Sequence, residues 1–216
     1  MFQEQISDRM KVIAPLVATG SVLDLGCVDA RTGREASSKR IERKPDALFR
    51  QIIEINRDTL GVDIDEEGVR VLNQQGFQVV CANAETMELG RQFDTIVAGE
   101  IIEHLENPGL FLRNLLRHLK PTGTLVLSTP NPFYTNQVWK IWRYGAPQVH
   151  EDHMGWQDPI TMTQLLRRTG YDPIGGYWIQ HGGQLLKTWR TLLRPYFTHS
   201  YMMLARPHAE SQRAAA

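Results

Sequence analysis

The stretch SVLDLGC, residues 21–27, is a short apolar run that ends in a glycine. Apolar runs of this length, bounded by turn residues, are typical of strands buried on both faces of a sheet. A glycine directly after such a run permits a tight turn out of the strand. The sequence therefore predicts a first buried strand at residues 21–25, followed by a turn at Gly26.

Similar apolar runs recur along the chain and alternate with helical patterns. The predicted strands cover residues 60–64, 77–81, 93–99, 124–128, 177–180 and 201–205. The predicted helices cover residues 45–55, 66–75, 108–119 and 161–168, with a possible further helix at residues 185–193. Strands separated by helices of about ten to fifteen residues form βαβ units, which produce a parallel sheet covered by helices on both faces.

Several segments lie outside this alternation. Phe2, Ile6, Met10, Ile13 and Val17 recur at helical spacing and predict an opening amphipathic helix. Residues 29–44 are polar, with six Arg or Lys, and predict a solvated loop. The aromatic-rich residues 130–158 predict an insertion or cap, and the small, polar residues 209–216 a disordered tail. We expect residues 1–208 to form a single domain that includes the insertion.

The composition excludes several classes of protein. Lys plus Arg equals Asp plus Glu, at 24 each, so no overall basic charge favours a nucleic-acid partner. Cys27 and Cys81 are too few for a disulfide framework, and each ends an apolar run, which predicts buried free thiols. We predict no metal site. The amino terminus lacks a signal-peptide pattern and no window is long enough to span a membrane, so we expect a cytoplasmic protein.

Polar residues and glycines follow the predicted strands. In open parallel sheets, ligands bind at the carboxyl ends of the strands, near the point where the strand order reverses. Gly26 either approaches a ligand or only makes a turn. Asp63 either accepts hydrogen bonds from a ribose diol or faces a helix amino terminus. Asn83 either meets a purine edge or caps the next turn.

The order of these pieces resembles that of the class I S-adenosylmethionine-dependent methyltransferases. The matching pieces are residues 22–27, 61–65, 83–85, 93–94, 100–105, 119–125 and 128–131. A Thr-Pro-Asn segment at residues 129–131 and a later His-x-x-Trp-x-Asp-Pro at residues 153–159 are similar to one sub-branch of that family. The resemblance implies an α/β fold of the Rossmann-like three-layer type, with a seven-stranded, mostly parallel sheet and an antiparallel last strand.

The resemblance also implies S-adenosyl-L-methionine as the cofactor and a role for each matching position. The loop after the first strand would hold its methionine part, the end of the second its ribose, the end of the third its adenine, and the end of the fourth its methyl group. The residues for the methionine part are Asp24, Gly26 and Cys27, and those for the ribose are Asp63 and Ile64. The residues for the adenine are Asn83 and Ala84, and those for the methyl group are Glu100 and Ile101. The chain departs from the family at two positions, since Val28 replaces a second glycine and Asn83 an aspartate.

We expect a methyltransferase that acts on a small-molecule or glycan acceptor at an oxygen atom. Such an acceptor needs a base, and histidine suits neutral pH. His153 is the first candidate and His150 the second, with His104 in reserve, and Glu100 lies beside the predicted methyl position. The aromatic residues of the insertion are expected to line the acceptor pocket, or else to fill a lid or contact a partner chain.

Two other functions are compatible with parts of the pattern. A nicotinamide-dependent oxidoreductase also starts with a strand, a glycine loop and an acidic residue, but this chain lacks the second and third glycines of that fingerprint. A non-catalytic S-adenosylmethionine-binding protein would keep the fold and lose the chemistry. Binding of S-adenosylhomocysteine but not NAD would exclude the oxidoreductase, and transfer of a labelled methyl group would exclude the non-catalytic protein.

Overall fold

The computed structural model describes residues 2–29, 36–44, 47–180 and 195–209. Within these ranges the chain forms an α/β fold around one eight-stranded sheet, with the order β1-β7-β8-β6-β5-β2-β3-β4. The strands are β1 (Phe2–Ile6), β2 (Val22–Leu25), β3 (Thr59–Asp63), β4 (Val79–Cys81), β5 (Phe93–Gly99), β6 (Leu119–Pro130), β7 (Tyr171–Ile179) and β8 (Ser200–Pro207). The helices are α1 (Met10–Val17), α2 (Ser37–Arg43), α3 (Leu48–Ile55), α4 (Glu66–Gln74), α5 (Pro108–His118), α6 (Thr135–Tyr144) and α7 (Pro159–Arg168).

The sheet is parallel except at one strand. The central strand β2 pairs in parallel with β3 on one side and with β5 on the other. The last strand, β8, lies between β6 and β7 and runs antiparallel to both. The predicted Rossmann-like fold with an antiparallel last strand is therefore confirmed, with one strand more than the seven expected.

The extra strand is β1, which replaces the first part of the predicted opening helix. It pairs in parallel with β7, and Ile6 lies opposite Ile179. A spacing of four residues, as between Phe2 and Ile6, fits the period of a strand as well as that of a helix. Asp8 lies two residues before α1, and its carboxylate accepts a hydrogen bond at 2.8 Å from the amide of Met10, the first helical residue. Only the second part of the predicted helix is helical.

The three layers follow from alternation along the strands. Leu23 and Leu25 of β2 belong to the larger apolar cluster, which includes residues of α5 and α7. Val22 belongs to the second cluster, which includes residues of α1 and α3. Because successive strand side chains point to opposite faces, each central strand supplies both layers.

The charged stretch at residues 29–44 is not simply a solvated loop. Residues 37–43 form α2, and Ser38 donates a hydrogen bond to Glu67 of α4 at 2.8 Å. Arg40 is buried at 3% exposure and forms an ion pair with Asp29 at 2.7 Å. The buried ion pair between Arg40 and Asp29 therefore holds residues 37–43 against the fold, although the composition of this stretch predicted a solvated loop.

The two cysteines differ in their exposure. Cys27 is buried as predicted, whereas Cys81 is exposed because it ends the edge strand β4. The possible helix at 185–193, the helix start at 45–46 and most of the expected tail lie outside the described residues. None of the helices in the described ranges is both long enough and apolar enough to cross a bilayer.

Candidate active site

A cleft of about 1220 Å³ opens at the carboxyl ends of β2, β3 and β5. The strand order reverses between β2 and β5, which is the position where open α/β sheets bind ligands. Residues from the amino-terminal side of α3 and from the loop 150–154 complete its walls. All nine cofactor positions predicted from the sequence line this cleft; they are Asp24, Gly26, Cys27, Asp63, Ile64, Asn83, Ala84, Glu100 and Ile101.

Asp24 lies at the floor of the cleft and is only 2% exposed. Its Oδ1 atom has no hydrogen-bond partner among the described residues. Burial raises the pKa of Asp24 to about 8, although Arg9 opposes this effect, and the nearby Asp63 raises it further. A buried acceptor without a donor is costly, so this site favours a ligand that brings a donor or a positive charge.

Arg9 is a site residue that the sequence analysis missed. It precedes α1, lines the cleft, and acts electrostatically on Asp24. A Cβ atom added to Gly99, the last residue of β5, would lie 3.5 Å from the Nη1 atom of Arg9. The Arg9 guanidinium therefore lies over the end of β5. Its sequence position gave no signal, because the chain around it resembles an ordinary solvated helix start. A guanidinium beside a carboxylate forms a pair of opposite charges that matches an amino acid zwitterion.

Asp63, at the end of β3, accepts two backbone hydrogen bonds. The Val28 amide donates to its Oδ2 atom at 2.9 Å and the Asp65 amide to its Oδ1 atom at 3.0 Å. Burial raises the pKa of Asp63, and these hydrogen bonds lower it in part. Each carboxylate oxygen has a second lone pair, so both can still accept from a diol.

Val28 stands where the family has its second glycine, and the structure shows how it is accommodated. Its side chain is buried at 3% exposure and is not part of the cleft wall. It packs instead against Gly68 at the start of α4, where a Cβ atom would collide with it. The valine therefore leaves the cleft open, because Gly68 provides the space for its side chain.

The adenine end predicted for the site lies at β3 and β4. Ile64 is 69% exposed and lines the cleft with Ala84. The Asn83 Oδ1 atom accepts a hydrogen bond from the Glu85 amide at 2.8 Å, so this residue does cap the following turn. The exposed apolar surface of Ile64 provides a face on which a flat aromatic ring can pack.

Backbone conformation is unusual on two sides of the cleft. Asp29 and Glu100 are the non-glycine residues with positive φ in the described part of the chain, at 54° and 56°. Gly26 has a φ of 74°, and Ile101 packs directly over it. Such conformations cost about 1–3 kcal/mol for non-glycine residues and concentrate at functional sites.

Three histidines meet at the mouth of the cleft. The His104 ring centroid lies 4.8 Å from that of His153 and 6.4 Å from that of His150. The His104 Nδ1 atom lies 3.0 Å from the Asp152 carbonyl oxygen. Because a carbonyl can only accept, Nδ1 carries the proton and the neutral ring presents the lone pair of Nε2.

His153, the first candidate from the sequence, has a different environment. Burial lowers its pKa to about 4, with repulsion from His104 and His150 adding to the effect. Its Nδ1 atom accepts a hydrogen bond from the Trp156 indole at 3.4 Å. His150 has its Nδ1 atom 3.5 Å from the Asp152 carboxylate, and its buried Nε2 atom has no partner among the described residues.

Glu103 is the second residue that the sequence analysis missed. Its side chain is 2% exposed and accepts a hydrogen bond from the Thr129 hydroxyl at 2.9 Å. Burial raises the pKa of Glu103 to about 8, with a further contribution from Glu100. Its backbone carbonyl accepts from the amides of Met154 and Gly155, which ties the insertion to the sheet. The resemblance gave no role to this position in the Glu100–Leu105 segment.

Glu103, His104 and His153 together form a set of potential cation ligands. One ligand atom of each lies within 4.8 Å of the others. Imidazole nitrogen and carboxylate oxygen are common ligands of divalent transition metals. The sequence predicted no metal site, because these residues are brought together only by the folding of the insertion.

The aromatic residues of the insertion do not line the cleft in the described structure. The insertion contributes Pro130 and residues 150–154 to the cleft wall, while Phe133, Trp139, Trp142 and Tyr144 are exposed elsewhere. This differs from the expected aromatic acceptor pocket. These rings lie on α6 or next to it, and α6 has no buried residue.

A sequence profile described as a methyltransferase domain matches residues 2–174. The chain belongs to this family. The resemblance to the class I S-adenosylmethionine-dependent methyltransferases is confirmed, together with S-adenosylmethionine as the family's cofactor, and the sub-branch with the Thr-Pro-Asn segment stays a prediction. The residues at the strand ends fit that group, since the unpartnered Asp24 oxygen, Arg9 and the open lone pairs of Asp63 match its amino acid and ribose parts.

Curated relatives of this family member include several ubiquinone biosynthesis O-methyltransferases. The protein of Azorhizobium caulinodans is 40% identical over 67 residues, covering 31% of this chain and 24% of the relative. That of Rickettsia felis is 32% identical over 129 residues, covering 59% and 47%. The mitochondrial protein of Arabidopsis thaliana is 27% identical, covering 55% and 44%. The matched part of the chain thus spans less than half the length of each of these relatives.

Solved structures with the same fold cover nearly the whole chain. A SAM-dependent methyltransferase from Archaeoglobus fulgidus has a TM-score of 0.62 at 17% identity, covering 92% of this chain and 91% of that one. The N-methyltransferase NodS of Bradyrhizobium japonicum, in complex with S-adenosyl-L-homocysteine, has a TM-score of 0.52 at 13% identity, covering 91% and 84%. At these identities the similarity concerns the fold alone.

Proposed function

We propose that this protein transfers the methyl group of S-adenosylmethionine to a hydroxyl oxygen of a small molecule. The family membership and the O-methyltransferase relatives support this reaction class. The relatives give no support to the glycan acceptor expected from the sequence, and no Phe, Tyr or Trp of the insertion lines the cleft in the described residues.

The amino acid part of the cofactor binds at the cleft floor. Asp24 accepts a hydrogen bond from the α-ammonium group, and Arg9 binds the carboxylate group. Asp63 accepts hydrogen bonds from the ribose hydroxyls, while Ile64 and the Ala84 backbone contact the adenine. The loop at Gly26 and Cys27 lies against the chain between the two ends, and Glu100 and Ile101 line the wall beside the methyl position.

When bound, the cofactor supplies an electrophilic methyl group on a sulfonium whose sulfur leaves as a neutral thioether. Because the leaving group is neutral, the protein has no large new charge to stabilise. Its main contribution is orientation, which is worth about 7–11 kcal/mol when the reacting atoms are held in line. The loop 150–154 forms part of the cleft wall, and in this proposal it limits the entry of water.

His104 is the best placed base for an acceptor hydroxyl. Its Nδ1 proton is held by the Asp152 carbonyl, so Nε2 is available to take the hydroxyl proton as the oxygen–methyl bond forms. The proton passes from His104 to solvent after transfer. The His153 and His150 rings pack near the His104 ring, and the pKa of about 4 makes His153 a weak base.

The observation that carries this proposal is the buried Oδ1 atom of Asp24, which has no hydrogen-bond partner among the described residues and lies in the cleft at the strand-order reversal. A floor built in this way suits the positively charged amino acid end of S-adenosylmethionine.

The test is incubation of the purified chain with methyl-labelled S-adenosylmethionine and separate panels of small phenols, alcohols and amines. We expect label in a phenol or alcohol panel and much less label with a chain carrying Asp63→Ala. Labelled amines only would contradict transfer to oxygen. Cofactor binding without label in any panel or in cell extract would indicate a non-catalytic binding protein.

A further inference from the structure

Asp29 ends the turn that follows β2, and its backbone lies in the left-handed region, with a φ of 54°. Its amide donates to the Gly26 carbonyl at 3.2 Å, so residues 26–29 form one closed turn. Asp29 also lines the cleft. A residue with a Cβ atom enters the left-handed region at a cost, and it stays there only when its surroundings hold it. The contacts of Asp29 therefore decide the shape of this turn.

Arg40 contacts both the backbone and the side chain of Asp29. Its Nε atom donates to the Asp29 carbonyl oxygen, and its Nη2 atom lies 2.7 Å from the Asp29 Oδ2 atom. The Lys44 Nζ atom lies 2.7 Å from the same carboxylate oxygen. Because the guanidinium is planar and rigid, the two contacts of Arg40 fix the Asp29 carbonyl relative to its carboxylate. Rotation of Asp29 out of the left-handed region would break at least one of them.

Helix α2 aims the Arg40 side chain at Asp29. Arg40 is buried, at 3% exposure, and a buried arginine is tolerated only with a partner. Two hydrogen bonds from serine hydroxyls attach α2 to the start of α4; they join Ser37 to Asp65 and Ser38 to Glu67. With α2 attached in this way, the position of the Arg40 guanidinium is set by the fold and not by the turn that it contacts.

The Asp29 carboxylate is ionised when it meets these cations. Burial raises the pKa of Asp29, but the hydrogen bonds and charges of Lys44 and Arg40 outweigh this effect and lower it overall. An ionised carboxylate accepts the strongest hydrogen bonds from a guanidinium. The contact with Arg40 is therefore present at neutral pH.

A rotation at Asp29 would reach two other parts of the cleft. The amide of Val28, the preceding residue, donates to Asp63 at 2.9 Å. Gly26 begins the same turn and has a φ of 74°. Because the turn is closed, moving Asp29 displaces the Val28 amide and the Gly26 carbonyl with it.

We propose that Arg40 is a positioning residue for cofactor binding, which holds Asp29 in the left-handed conformation and thereby keeps the turn at residues 26–29 in its binding shape. The inference rests on the cofactor site proposed above. Arg40 itself does not line the cleft, so it acts through Asp29 and not by contact with the ligand. Without Arg40, the turn has to be ordered when the ligand binds, and the affinity falls.

Calorimetric titration of the full chain with S-adenosylhomocysteine tests this role. Arg40→Met keeps an apolar stem of similar length and removes both contacts with Asp29. It is expected to weaken binding about tenfold, because part of the binding free energy is then used to order the turn. Arg91→Met is the matched control and should bind like the unmodified chain. Arg91 also forms an ion pair, with Asp58 at 3.2 Å, but does not line the cleft.

A pair of substitutions at Asp29 separates backbone conformation from charge. Asp29→Ala and Asp29→Gly both remove the carboxylate and leave Arg40 without its ionic partner. Only glycine enters the left-handed region without a steric penalty. We expect Asp29→Ala to weaken binding about tenfold and Asp29→Gly to weaken it less than about threefold. Adding Arg40→Met to Asp29→Gly should have little further effect, because a glycine does not need the guanidinium to hold it.

Urea unfolding gives the stability of each variant, and circular dichroism shows whether it is folded at the titration temperature. Unchanged affinity in Arg40→Met, even with a lower free energy of unfolding, would mean that Arg40 only stabilises α2 and would overturn the proposal. Equal affinities in Asp29→Ala and Asp29→Gly would also overturn it, and this pair decides the matter if Arg40→Met does not fold. Absence of binding by the unmodified chain would remove the cofactor site and this inference together. Binding that these substitutions leave unchanged would remove the inference alone.

Discussion

Asp24 is almost completely buried, and its Oδ1 atom has no hydrogen-bond partner among the described residues. With a pKa of about 8, its carboxyl is mostly protonated at pH 7 in the free cleft. A cofactor ammonium group binds the ionised form, so the affinity for S-adenosylhomocysteine should increase with pH. Between pH 7 and pH 8 the ionised fraction, and with it the affinity, rises about fivefold.

Calorimetric titrations across this pH range measure the effect directly. Asp24→Asn should weaken binding and remove this pH dependence, because an amide does not titrate. Titrations in buffers of different ionisation enthalpy should also show uptake of a proton by the buffer as the cofactor product binds. An affinity that stays constant from pH 7 to pH 8 would mean that Asp24 does not meet the ammonium group.

Two of the three histidines at the cleft mouth, His104 and His153, should contribute unequally to turnover. His104→Gln is expected to lower kcat about 100-fold or more, since a positioned base contributes about 10²–10⁴. His153→Gln is expected to lower it less than tenfold, because its indole contact only positions the cluster. The comparison is made once a methylated acceptor is known, with S-adenosylhomocysteine affinity as the control. Near-normal kcat in His104→Gln would remove this residue as the base.

At the scale of elements, the contact between the β2 loop and α4 determines how Asp63 is held. Gly68 lies within α4 and directly beneath the Val28 side chain. Alanine at this position would displace Val28 and with it the amide that donates to Asp63. Gly68→Ala is therefore expected to lower the free energy of unfolding by about 1–3 kcal/mol and to weaken S-adenosylhomocysteine binding.

Gly109→Ala is the matched control for this prediction. Gly109 also lies in a helix, α5, and an added Cβ atom would meet only the end of the flexible Arg113 side chain, at 3.4 Å. Helix propensity alone should make alanine stabilising by up to about 1 kcal/mol at both positions. Opposite signs for the two variants in urea unfolding would support the Val28 contact, and stabilisation by both would contradict it.

The central elements were predictable from sequence, and the failures at β1 and α2 have physical causes. Strand β5 was predicted at its observed bounds, because a short apolar run that ends in a glycine and lies between helical patterns indicates a buried strand. Strand β1 was assigned to a helix because Phe2 and Ile6 satisfy both periods. Helix α2 was missed because Arg40 is buried by an ion pair with Asp29. A partner eleven residues away produces no periodic signal in the sequence.

The site was predictable where it follows from topology. Residues directly after strands meet at one sheet edge, so Asp24, Asp63 and Glu100 could be placed together from their sequence positions. Arg9 and Glu103 could not, because their roles depend on how α1 and the insertion pack over that edge. The exposure of the α6 rings was equally unpredictable, because the sequence of an aromatic segment does not show whether its rings face a pocket or solvent.

At the scale of the whole molecule, buried acids make folding depend on pH. The pKa values of Asp24 and Glu103 are about 8 in the fold and near 4 in the unfolded chain. The native state therefore holds more protons in this range, and the free energy of unfolding falls as pH rises towards 8. His153 acts in the opposite sense only between pH 4 and pH 6.5, because its pKa in the fold is about 4.

We therefore expect the unliganded protein to lose stability between pH 6.5 and pH 8. The slope is at most about 1.4 kcal/mol per pH unit for each carboxyl. Urea unfolding at several pH values measures it, and Asp24→Asn with Glu103→Gln should flatten the curve. Stability that rises across this window would show that both carboxyls are ionised in the fold.

Calorimetric titration of the chain with S-adenosylhomocysteine is the most direct test of the central claim, that the ends of β2, β3 and β5 bind this cofactor. We predict one site per chain, no binding of NAD, and at least tenfold weaker binding by Asp63→Ala, because the ribose hydroxyls lose their acceptor. Absence of binding at saturating ligand, or equal affinity in Asp63→Ala, would contradict the account.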